Sequence, residues 1–344
     1  MKQIAVHGFV VTALVYTLLF ASGCTEPSDK AAAVKVEPQK TVETEVQIEE
    51  PGRPAELALK FVPADSTTYK VALEAGKSVK WEGQTPSPKG FKGGHTSNKM
   101  EMTFSQQIES VEDQGNAVAK ITIKELKYVT TVKNNVVLDF DSSRENDHGH
   151  ALNNLIGQSY KIEITPSGRV LEVIGTSDAL AAAAGDKTAV ALLSADAIKR
   201  RHAVPALPAP GENQLRAGEN WSNIKNVSFD MMGSKSFERV YTLKEVQDAG
   251  NRRIAVAEME AVPSVENVRD LRKEQTTDFF SQMFDNTEDY TGELKLDLTE
   301  GKIARYREEL VVEWLIVNPN PKKDEPPAAL KMGAARLFSI EKID

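Results

Sequence analysis

Ile108-Glu-Ser-Val111-Glu-Asp113-Gln-Gly115-Asn116 and Leu243-Lys-Glu-Val246-Gln-Asp248-Ala-Gly250-Asn251 have the same sequence pattern. An apolar strand end and a valine lead into Asp-x-Gly-Asn, and a second apolar run follows. Glycine reaches positive φ without a Cβ penalty, so each stretch predicts a short hairpin between antiparallel strands. Two further echoes follow in the same order. Phe140-Asp141-Ser142-Ser143 returns as Phe284-Asp285-Asn286-Thr287. Lys161-Ile-Glu-Ile-Thr165 with its turn Pro166-Ser-Gly168 returns as Lys295-Leu-Asp-Leu-Thr299 with Glu300-Gly301. Three motifs in one order predict an internal duplication, each copy needing the other to close its core.

The apolar period within each copy is two. Met100, Met102, Phe104 and Ile108 alternate with Glu101, Thr103, Ser105 and Gln107, and Leu294, Leu296 and Leu298 repeat the pattern. This is the signature of antiparallel strands with one wet face. Tyr306, Leu310, Val312 and Trp314 share one parity and are expected to form the longest strand. Helices are the minority. Ser177 to Arg201 is Ala-rich, interrupted at Gly185, with Lys199, Arg200, Arg201 and His202 placed to complement a helix C-terminus. Glu266 to Phe284 is a second helical candidate. The expected fold is α+β, mostly antiparallel β, as two duplicated half-barrel-like sheet units with minor helices. Residues 55–202 form the first β-rich repeat with the Ala-rich helix, 203–214 a Pro-rich linker, and 215–344 the second repeat.

The N-terminus carries a different message. Lys2, the apolar run Ile4 to Phe20 and the small residues Ala21-Ser22-Gly23 precede Cys24, the single cysteine of the chain. This resembles the bacterial lipoprotein signal, which implies cleavage after residue 23 and acylation of Cys24 with diacylglycerol and palmitate. Cleavage nearby to a secreted form and an uncleaved anchor are the alternatives, since the apolar run reaches the lower limit of a bilayer span. Residues 24–54 lack aromatic residues and are rich in Glu, Lys, Thr, Val and Pro, a composition expected to stay disordered as a tether. Thr25 in place of Asp after the cysteine favours the outer membrane, with the body facing the periplasm or the cell surface.

The body is long enough for a sizeable core. With no other cysteine, it has no disulfide, thiolate metal site or cysteine nucleophile. The net charge is -8 and no Lys/Arg stripe is interleaved with aromatics, which argues against nucleic acid. Gly-x-Ser-x-Gly, a Gly-rich phosphate loop and His-Glu-x-x-His are absent, so no enzyme activity and no cofactor are expected. Asp147, His148 and His150, with Glu145, are the best metal ligands on offer, but the pattern suits a polar loop and no metal is assigned. Asp139, Asp141, Ser143 and Glu145 alternate like calcium ligands, yet Arg144 stands where such a loop needs glycine. Glu308 with Glu309, and Glu258 with Glu260, read as surface charge. The loop Gly83 to Asn98 offers Lys89, Phe91 and Lys92 as a partner or headgroup contact. Met100, Met102, Phe104, Met231 and Met232 are the candidate liners of an apolar cavity, because methionine adapts to irregular apolar partners.

Leu57-Ala-Leu-Lys-Phe61 through Tyr69, Asp113 to Asn116, Gly168-Arg-Val170-Leu-Glu-Val173-Ile-Gly175 and Arg216-Ala-Gly218-Glu-Asn-Trp221 resemble uncharacterised bacterial lipoproteins known as a domain of unknown function. The arrangement is similar in kind to envelope proteins that curl an antiparallel sheet into a half-barrel over a helix to carry lipids or lipoproteins. These resemblances imply a membrane-tethered, non-enzymatic envelope protein binding an apolar ligand or an envelope protein partner. The alternatives are a structural or interaction lipoprotein with a closed core and, more distantly, a hydrolase.

Overall fold

The computed structural model describes residues 47–48, 52–83, 92–229, 233–264, 285–317 and 328–343. Cys24, most of the tether, Lys89, Phe91, Met231, Met232 and the helical candidate Glu266 to Phe284 lie outside the described residues. Thr44 to Asp344 group as one compact unit.

Short strands β1 (Gln47–Ile48) and β2 (Ala55–Glu56) lead into the first half. It holds β3 (Ser66–Gly83), β4 (Gly94–Val111), β5 (Ala117–Val132), β6 (Asn135–Asp141), β7 (Ser159–Ile164) and β8 (Val170–Ile174). Helices α1 (Ser177–Ala182), α2 (Lys187–Leu192) and α3 (Ala195–His202) follow. After the Pro-rich segment come β9 (Gln214–Leu215), β10 (Asn220–Ser228), β11 (Ser234–Ala249), β12 (Arg252–Pro263), β13 (Asp285–Asp297), β14 (Lys302–Val317) and β15 (Ala328–Lys342).

All the long strands join one open antiparallel sheet in the order β1-β11-β12-β13-β14-β15-β3-β4-β5-β7-β8, with β10 on β11 and β6 on β5. The same order occurs twice. β6 and β7 lie end to end along β5, at residues 127–132 and 117–122, in the place that β13 takes along β12. So β3-β4-β5-β6/β7-β8 matches β10-β11-β12-β13-β14, and β15 bridges β14 to β3. The short leaders also pair, Ala55 with Leu215 and Glu56 with Gln214.

Both Asp-x-Gly-Asn turns are hairpins with glycine at positive φ, Gly115 at 80° and Gly250 at 66°. Their loops differ. Ala249 pairs with Arg252 around a two-residue loop, whereas Glu112 N–H donates to Asn116 O around three residues. Gly168 and Gly301 also turn at positive φ, 74° and 64°. The Phe284 half of the Phe140 echo lies outside the described residues; of the residues that follow, Asp141 closes β6 opposite Lys127, while Asp285 opens β13 opposite Leu315. Nor is β14 the longest strand; β3 and β4 run 18 residues each against 16.

The Ala-rich segment forms three short helices. Gly185 breaks it at φ 78°, and the side chains of Asp186 and Ser194 accept from the N–H groups of Ala189 and Ala197, starting new helices. Arg201 and His202 do not cap α3 at the surface. Both are buried, and Arg201 Nη2 donates to Leu192 O at the end of α2. One apolar core runs through both halves, from Met102, Phe104, Ile121 and Ile162 to Tyr241, Leu296 and Val312.

Candidate functional site

The concave face of the second half follows from period-two patterning that carries polar residues as well as apolar ones. On β11, Phe237, Arg239, Tyr241 and Leu243 are all buried. On β14, Tyr306, Glu308, Leu310 and Val312 are buried in the same way. Glu308 is therefore not surface charge, as its pairing with Glu309 suggested; only Glu309 is exposed, beside Arg307.

Glu308 Oε2 accepts three hydrogen bonds: from Arg239 Nη1 at 2.7 Å, Tyr306 OH at 2.8 Å and Tyr290 OH at 2.9 Å. Tyr241 OH and Tyr306 OH lie 3.2 Å apart. Arg239 Nε donates to Asn223 Oδ1 at 2.8 Å, and Asn223 Nδ2 donates to Pro205 O at 2.8 Å. Trp221 Nε1 donates to Ala206 O at 2.9 Å, so the Pro-rich segment is pinned to β10 at two points. Burial alone would raise the Glu308 pKa. Arg239, Lys225 and the two tyrosine hydroxyls outweigh that and hold the carboxyl below the usual range. Burial, then Glu308, pushes the Tyr290 and Tyr306 hydroxyls up. A carboxylate so committed is a poor base, and the cluster is a structural tie.

Gly292 makes the tie possible. It lies between Met259 and Glu308 across the sheet, and a Cβ there would stand 2.8 Å from Arg307 O and 3.0 Å from Met259 Cε.

Beside this network lies a cavity of about 600 Å³. Leu73, Met100 and Tyr128 of the first half, Val227, Leu310 and Phe338 of the second, and Ala191 and Leu192 of α2 supply its apolar lining. The same register line joins several of them, since Glu308 pairs with Phe338, Phe338 with Leu73, and Leu73 with Met100. Glu74, Glu308, Lys199, Arg200, Arg201, Lys225 and Arg336 also line it. Burial lowers the Lys225 ammonium; Glu308 opposes this, and the positive charges of Arg239, Arg336 and Arg200 add to it. Arg336 lies over the Phe229 ring, 5.5 Å from its centroid, and donates to Ser228 O.

A second void of about 30 Å³, lined by His202, Tyr69 and Gly301, has room for water and little more. Next to it Tyr160 OH is 3.0 Å from Arg201 Nη2 and 2.7 Å from His202 Nε2. The hydroxyl accepts from the guanidinium and shares a hydrogen bond with the imidazole. His202 Nδ1 and Arg201 Nε are buried without a hydrogen-bond partner.

Of the residues the sequence singled out as cavity liners, Met100 lines the large cavity. Met102 and Phe104 are buried core on the same strand, and Phe104 packs edge-on against His202 at 4.5 Å. Lys92 is exposed ahead of β4. Among the described residues no group of three His, Cys, Asp or Glu is placed to hold a metal. His150 Nδ1 accepts from Leu152 N–H, and Asp147 Oδ2 accepts from Arg144 Nε and from the Asp141 N–H. Asp141 is held at about 2 by its bonds from Ser143 and by Lys127. Arg239, Tyr290, Lys225 and Arg336 carry no motif that singles them out in the sequence, although each, like Glu308, has the parity of its apolar neighbours.

No family model and no curated protein sequence matches the chain. Among solved structures, one titled for lipid-protein interactions in lipovitellin is similar at a TM-score of 0.37 and 11% identity, covering 83% of this chain. The chain spans only 26% of that protein's length. DynF of the dynemicin biosynthesis pathway of Micromonospora chersina is similar at a TM-score of 0.18 and 9% identity, covering 90% of this chain and 93% of its own. At these scores the likenesses carry no argument about function.

Proposed function

We propose that this is a lipid-anchored protein of a bacterial envelope whose body holds an apolar ligand, without catalysis, between the curled sheet and helices α2 and α3. The cavity of about 600 Å³ carries this reading. Its size falls within the roughly 300–1,000 Å³ of small-molecule sites, and an apolar wall with a few polar groups is the usual make-up of such sites. A structural lipoprotein with a closed core would have no use for that space, and the acidic group beside it is tied up by Arg239 and two tyrosines. Residues around Cys24 support the anchor by their resemblance to a lipoprotein signal.

Native mass spectrometry of the protein purified from its envelope tests the reading. A lipid-sized mass should travel with the wild type and be lost in Ala191→Trp, which places a ring into the cavity from an exposed position on α2. The absence of any such mass, together with no uptake of an apolar fluorescent probe, would overturn it.

A further inference from the structure

We infer that the ligand is a single-chain amphiphile with an anionic head, carboxylate or phosphate, bound at Lys225, Arg336 and Arg200 with its tail along the apolar wall. This rests on the cavity being a ligand site. The charges facing that cavity are unbalanced: Lys199, Arg200, Arg201, Lys225 and Arg336 against Glu74 and Glu308. Both acids are already engaged, Glu74 with Lys99 at 2.8 Å and Glu308 with Arg239 at 2.7 Å. Lys199 and Arg201 are partly spent on the backbone, donating to Leu171 O and Leu192 O. Arg201 nevertheless keeps Nε buried and unpartnered while lining the same space.

Lys225, Arg200 and Arg336, which also gives one N–H to the backbone at Ser228 O, converge from separate elements. Lys225 comes from β10, Arg336 from β15 and Arg200 from α3, and the Arg336 bond to Ser228 O draws β15 to the end of β10. Burial, and after it the positive charges of Arg239, Arg336 and Arg200, depress the Lys225 ammonium, and a bound anion would offset the repulsive part. The chain as a whole carries -8, so this basic cluster runs against its net charge. Guanidinium groups match carboxylate and phosphate oxygens in pairs, and partial desolvation strengthens the contact. The adjoining apolar wall, Leu73, Met100, Leu310 and Phe338, suits an alkyl chain. A free inorganic anion would leave that wall unused.

Isothermal titration of the full-length chain with palmitate, hexadecyl phosphate, hexadecanol and inorganic phosphate tests the inference. The two anionic amphiphiles should bind at least about tenfold more tightly than hexadecanol, and inorganic phosphate should not compete at similar concentrations. Lys225→Met with Arg336→Met should erase that preference while hexadecanol binding persists. Arg200→Met, on the exposed side of α3, should weaken the preference without threatening the fold. Added salt should reduce it too. Equal binding of all three amphiphiles would overturn the anionic head and leave the cavity reading standing. Binding of none would remove the cavity reading itself. Inorganic phosphate binding as tightly as hexadecyl phosphate would overturn the amphiphile.

Discussion

Arg239 and Glu308 meet at 2.7 Å although β12 and β13 lie between their strands. At a spacing of about 4.8 Å per strand, a flat sheet would separate such positions by roughly 14 Å. Two long side chains and a curl of the second half together close that gap, and Trp314 meets Phe229, just past β10, with ring centroids 5.2 Å apart. The curl makes the concave face a container.

Removing one partner of this tie should leave a buried charge alone. Glu308→Leu or Arg239→Met should each cost on the order of 3–5 kcal/mol, and the two changes combined should cost clearly less than the sum of the single changes. Urea denaturation with a double-mutant cycle reads this directly. Strictly additive costs would mean that the pair contributes nothing to stability as a pair.

His202 should make stability fall on mild acidification. Burial, then the neighbouring Arg201 charge, holds its pKa well below the usual histidine value, so the native state keeps the ring neutral. The unfolded chain takes up a proton near pH 6.5. Stability is thus fully present above that pH and is lost as the pH falls toward the folded value, by up to about 1.4 kcal/mol per unit. His202→Gln should flatten the denaturation midpoint between pH 7 and 5. An unchanged slope in that variant would assign the effect elsewhere. Glu308 acts in a separate window, because a depressed carboxyl loses its contribution only as pH drops below the usual range, near 4.5.

The four turn glycines should separate into two grades. Gly115→Val and Gly250→Val force a β-branched residue to positive φ and should cost about 1–3 kcal/mol. Gly168 and Gly301 should tolerate even Ala poorly, since a Cβ would stand 2.7 Å from Val204 O in one and 2.6 Å from Lys60 N in the other. Gly149, with open space around it and no positive φ, is the control and should change little. Thermal melts of the five variants check the order; a Gly301→Ala protein as stable as Gly149→Ala would refute the crowding argument.

Cys24→Ala should abolish acylation and release the body from membranes or leave an uncleaved precursor. Labelling with a palmitate analogue and fractionation distinguish these. Membrane retention of a normally cleaved Cys24→Ala protein would remove the anchor from the proposed function.

Hairpin positions were legible because they depend on local backbone chemistry: Gly115, Gly250, Gly168 and Gly301 all take the positive φ that their turns require. The strand faces were legible for the same reason, since alternation places Met100, Met102 and Phe104 on one side. Helix breaks were partly so. Gly185 marks one break, and the caps at Asp186 and Ser194, local signals of the same kind, mark the helix starts that follow. Glu308 is buried although a paired carboxylate reads as surface charge; its parity with Tyr306, like that of Arg239 with Tyr241, is the local signal that points inward.

What the sequence by itself determined is therefore the antiparallel strands, their inward faces and the repeated order of turns, all products of neighbours within a few residues. Only the tertiary structure decided that the two copies share one sheet through β15, because pairing β14 and β3 with it joins residues up to hundreds of positions apart. It also decided which charges became partners. Arg239 lies 69 positions from Glu308, and Arg336 lies 108 from Ser228; no short-range pattern encodes such separations. The cavity belongs to the same class, since its wall is drawn from both halves and from the helices between them, and its shape exists only once the sheet has curled.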